Sequence, residues 1–154
     1  MRTIIYSLSG KKNEIIFIDK ISKELDLDII FWEVDKKNYN YAKKFFPKIQ
    51  IAKNSKRDQI DFYQNNLNFP IIDEKIIKKL GKYELSLYPS YLRNSQINAI
   101  RADMFLRDEY YQFITFRYYF LKHHKPDFIL FANTPTGFFN LVDYYLCEEL
   151  NIKK

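Results

Sequence analysis

The chain has 154 residues, 47% of them hydrophobic and 29% charged, a balance that excludes a disordered tail and suits one domain. Three Gly and five Pro exclude collagen-like and linker-type sequence, and the lone Cys147 excludes a disulfide scaffold or a Cys-based zinc site. The net charge of +6 comes mainly from Lys set among Ile, Asn, Tyr and Phe, the mixture that AT-rich codons encode.

Lysine pairs recur along the whole chain (Lys11-Lys12, Lys36-Lys37, Lys43-Lys44, Lys78-Lys79, Lys153-Lys154) instead of forming one block. That spread argues against nucleic acid as the main partner, since such proteins concentrate their charge in a footprint. It leaves room for attraction to anionic substrates or to a membrane surface. No apolar run approaches the ~20 residues of a membrane span. Residues 3–8 are too few for the apolar region of a signal peptide. The expected setting is the cytoplasm, with peripheral association at the inner membrane face open.

In chain order, Thr3-Ile4-Ile5-Tyr6-Ser7-Leu8 is short, β-branched and apolar, and reads as a buried strand ending in a turn. Asn13 is placed to cap a helix carrying Phe17, Ile18, Ile21 and Leu25 at helical spacing. Residues 27–34 (LDIIFWEV) form a second strand-like run, closed by Asp35. Tyr39, Ala42, Phe45 and Phe46 suit a second helix that stops at Pro47, because proline disfavours helix at the residue before it. Ile49-Gln50-Ile51-Ala52 is expected as a third strand, completing βαβαβ with a parallel sheet.

Residues 53–94 are less regular. Asp73 is expected to cap a short helix with Ile76, Ile77 and Leu80, and Gly81 to stop it. Residues 83–94 read as an ordered loop or short edge strand. A long helix is expected over 95–124, with Ile97, Ile100, Met104, Tyr111, Ile114, Tyr118 and Leu121 on one face. Phe105, Phe113, Phe116 and Phe120 widen that face, so its later half is expected to be buried on two sides. Asp103 stands four residues before Arg107, the favourable order for a helical ion pair. Pro126 ends the helix, residues 127–132 (DFILFA) form the most apolar strand, and residues 138–150 form a closing helix.

The expected fold class is therefore α/β, a doubly wound parallel sheet with flanking helices in one domain over 1–154. The chain would cross back after three strands and lay the fourth on the other side of the first. Ligands bind beyond the carboxyl ends of the strands at such a switch point. The flanking loops are residues 7–12 and 133–137. They nominate Ser7, Ser9, Gly10, Lys11, Asn133, Thr134, Thr136 and Gly137 as binding residues through hydroxyls, an amide, a cation and free backbone N–H groups. An ordinary strand-to-helix turn accounts for the same residues, with Thr136 as the cap of the final helix.

Residues 9–12 (SGKK) fail as a phosphate loop, since Ile5 and Lys12 occupy the positions that need Gly and Ser or Thr. There is no G-x-G-x-x-G either, and no cofactor or metal is expected. His123 and His124 point about 100° apart on a helix, so they do not share an ion. Their expected role is to end the helix, where a cation favours the dipole. Glu14 and Asp35 are the candidate general bases near a sugar hydroxyl. Each equally suits a helix N-terminus, the commoner role. Cys147, within YYLCEEL, reads as a small core residue.

The segment 124–152 (HKPDFILFANTPTGFFNLVDYYLCEELNI) resembles the end of the N-terminal Rossmann-like domain of GT-B glycosyltransferases of the capsule and surface-polysaccharide type. Pro126-Asp127, the strand to Phe131, Pro135 and the closing Leu150-Asn151-Ile152 fall in step with that family's layout. The resemblance implies the acceptor-side half of an enzyme that moves a sugar from a nucleotide sugar to a glycan. It implies as partners a nucleotide sugar, a glycan acceptor and a second domain or chain that holds the diphosphate. Thr134 and Thr136 stand where relatives carry an acidic residue and a His, and Asn140 where they carry an Asp. By the resemblance, this chain either binds an acceptor without transfer or uses another carboxylate such as Glu14. A non-catalytic module for nucleotide, glycan or protein is the alternative.

Overall fold

The computed structural model describes residues 2–7, 12–33, 36–46, 65, 68–94, 103–131, 134–135 and 138–154. Three strands are present among them: β1 (Arg2–Ser7), β2 (Leu27–Glu33) and β3 (Phe128–Phe131). They form a parallel sheet in the order β2-β1-β3. β1 pairs with β2 from Arg2↔Leu27 to Ser7↔Glu33, with an irregularity between Tyr6 and Ser7. It pairs with β3 from Ile4↔Phe128 to Ser7↔Phe131. On the other side of β3, Lys153 makes a parallel bridge to Phe128, with Ile129 N–H donating to the Lys153 carbonyl at 2.9 Å.

Helices α1 (Lys12–Glu24) and α2 (Lys36–Phe45) precede and follow β2. The remaining described elements are helical: α3 (Glu74–Leu80), a 3₁₀ turn (Gly81–Tyr83), α4 (Glu84–Asn94), α5 (Asp103–His124) and α6 (Phe138–Leu150). Two compact units result. The first comprises Met1–Gln59, Lys125–Thr134 and Ile152–Lys154, and the second Ile60–His124 and Pro135–Asn151.

These findings correct the expected fold class. The chain is mostly helical, and its described strands make a three-stranded sheet rather than a doubly wound one. The physical reason lies in α5. A helix laid on a sheet buries one stripe. α5 buries five consecutive residues, 113–117, together with Phe120 and Leu121, which is more than one stripe. It packs against α3 and α6, and the described residues of its unit include no strand. The expected strand over 49–52 lies outside the described residues.

In the first unit, Ile15 and Ile18 of α1 pack with Ile29 of β2 and Ala42 and Phe46 at the end of α2. The buried face of α1 is Ile15, Ile18, Asp19 and Ser22, an i, i+3, i+4, i+7 set. This corrects the expected face: Phe17 is 59% exposed and Leu25 65% exposed. Asn13 lies inside the helix rather than capping it. Asp19 is accommodated by Lys23, whose ammonium donates to its carboxylate at 2.7 Å.

In the second unit, Asp73 caps α3 as expected, accepting from the N–H groups of Lys75 and Ile76. Gly81 follows α3 in a right-handed conformation (φ −54°), so the chain runs on through the 3₁₀ turn into α4 instead of reversing. That overturns the reading of 83–94 as loop or edge strand. Pro89 sits inside α4 and offers no N–H to the carbonyl of Leu85. Leu87, Ser90 and Tyr91 form the buried side of α4, while Leu85 is 93% exposed. Tyr83 of the 3₁₀ turn stacks on Tyr145 of α6 at 4.0 Å and donates to Glu148.

Candidate functional site

The carboxyl ends of the three strands are aligned by backbone register. Ser7, the last residue of β1, is the partner of Glu33 at the end of β2 and of Phe131 at the end of β3. Adjacent strands lie about 4.8 Å apart, so the chain leaves β1 and β3 at neighbouring points. The reversal of strand order also falls at β1, between β2 and β3.

Several of the nominated residues can be placed on this frame. Ser7 is at the strand end itself. Glu14 is half-buried in the first turn of α1, where a carboxylate opposes the positive end of the dipole. Thr134 is exposed three residues beyond β3. Ser9, Gly10, Lys11, Asp35, Asn133, Thr136 and Gly137 lie outside the described residues. The structure therefore pairs Ser7, which opens the first nominated loop, with Phe131, two residues before the second.

The chemistry of His124 differs from expectation. His123 and His124 both occupy the last turn of α5. The imidazole of His124 rests 4.4 Å from the ring centre of Phe120, and burial, followed by the charges of His123 and Arg117, lowers its pKa to about 4. It is neutral at pH 7, so it adds no cation at the helix end. Among the described residues, no three His, Cys, Asp or Glu side chains group as a metal ion would need.

Sequence reasoning missed a fully buried ion pair among the described residues. Arg117 of α5 and Asp143 of α6 have side chains 0% and 2% exposed. Arg117 Nε donates to Asp143 Oδ1 at 2.6 Å, and its Nη2 donates to Oδ2, a two-pronged pair that matches fork to carboxylate. The guanidinium also lies over the Phe120 ring at 5.2 Å. The signal was present: each is a charged residue inside an otherwise apolar helical stretch (FITFRYYFL and NLVDYYL), and buried charges are paired.

A second polar cluster joins α3 to α5. Thr115 Oγ1 accepts from the Asp73 N–H at 3.0 Å, and the Tyr119 hydroxyl donates to Asp73 Oδ2 at 2.7 Å. Phe69 stacks on Tyr119 at 5.2 Å. The Tyr119 hydroxyl, aided by the backbone N–H groups of Ile76 and Lys75, holds the Asp73 carboxyl below its ordinary pKa. These contacts fix the start of α3. Cys147 is buried, as a core residue should be.

No helix among the described residues is long and apolar enough to cross a membrane. Comparison with protein-family models, with curated proteins and with solved structures returns no match.

Proposed function

We propose that this chain binds a hydroxyl-rich ligand, a glycan acceptor or nucleotide sugar, at the carboxyl edge of the β2-β1-β3 sheet. It would do so as the acceptor-side half of a sugar-transfer system for surface polysaccharide. The observation that supports this reading is the register Ser7↔Phe131, which sets the end of β1 beside the end of β3.

In this reading Ser7 and Thr134 bind the sugar, and Glu14 accepts a proton from an acceptor hydroxyl. The donor diphosphate is held by a second domain or partner chain. The protein is cytoplasmic, and its net charge of +6 favours the anionic face of the inner membrane. A non-catalytic binding module is the second reading, favoured by Thr134 and Thr136 standing where the resembling enzymes carry acid–base groups.

The test is a two-part titration of the purified chain. Acceptor glycans and nucleotide sugars are expected to shift NMR signals of residues 7–12 and of Asn133 and Thr134. No product is expected by mass spectrometry without a second domain. Thr134→Ala is expected to weaken binding while changing stability by less than ~1 kcal/mol. Shifts confined to residues 83–94 would overturn the site, and robust turnover by the chain alone would overturn the half-enzyme reading.

A further inference from the structure

We draw no further inference here: the strongest candidate, the outward apolar face of α4 at Leu85, Pro89 and Leu92, is a surface for which nothing in the structure shows what covers it.

Discussion

Replacing Asp143 with leucine removes the carboxylate that faces the Arg117 guanidinium in the core of the helical unit. Both side chains are at most 2% exposed, so water cannot take the place of the lost carboxylate without opening the packing of α5 on α6. Breaking a buried pair by removing one partner costs about 3–5 kcal/mol, because the remaining charge stays desolvated. For a domain of this length each kcal/mol moves Tm by roughly 2–4 °C. The expected fall is therefore on the order of 6–20 °C. Urea unfolding followed by circular dichroism should show a lower midpoint with an unchanged slope. The double variant Arg117→Met with Asp143→Leu removes both charges and is expected to regain most of the loss, since apolar replacements of buried pairs are often neutral or stabilising. The cation–π contact of Arg117 with Phe120 is lost in the double variant, which limits the recovery. A cost below ~1 kcal/mol for Asp143→Leu, or a double variant less stable than that single variant, would refute the reasoning.

Asp73→Ala removes the cap of α3 and its bond from Tyr119, with an expected cost of about 1–2 kcal/mol at pH 7 in urea melts. Because the Asp73 pKa is depressed in the folded state, this stability is present above the unfolded value near 3.9 and is lost as pH falls through the folded value; a gap to the parent that stays constant below pH 4 would count against it. For His124 the unfolded imidazole takes up a proton near pH 6.5 but the folded one only near 4, so stability should fall as pH drops across that window. His124→Phe should flatten that limb, measured as the difference in urea midpoint between pH 7 and pH 4.5, and an equal loss in parent and variant would disprove it. Lys125 directly follows α5 at φ 45°, a left-handed conformation that strains a side chain. Lys125→Gly is expected to raise stability by up to about 1 kcal/mol, and a lower melting temperature would contradict this account.

Where local chemistry alone decides, the sequence was sufficient. The β-branched run at the start of the chain forms β1, the DFILF stretch gives β3, and the closing helix spans Phe138–Leu150 as its spacing predicts. Asp73 caps α3 for the same reason: the side chain reaches the N–H groups two and three residues ahead without help from the rest of the fold. The strand ends that lead into the nominated binding loops are paired, yet most loop residues lie outside those described, so the candidate site is legible as a place rather than as a constellation of side chains.

Packing decided the rest. Helical period marks α1 but offers two apolar faces, one through Ile15 and Ile18 and one through Phe17 and Leu25. Only the neighbours Ile29, Ala42 and Phe46 select the first. Residues 84–94, with Pro89 and two tyrosines, carry weak local preference for helix, and the side of Leu87, Ser90 and Tyr91 is stabilised by burial in the helical unit. The Arg117–Asp143 pair spans 26 positions on two helices, and no local period links them. Each charge is tolerated in its apolar stretch because the packing of α5 on α6 delivers the other, an interaction set by tertiary distance and desolvation rather than by sequence neighbourhood.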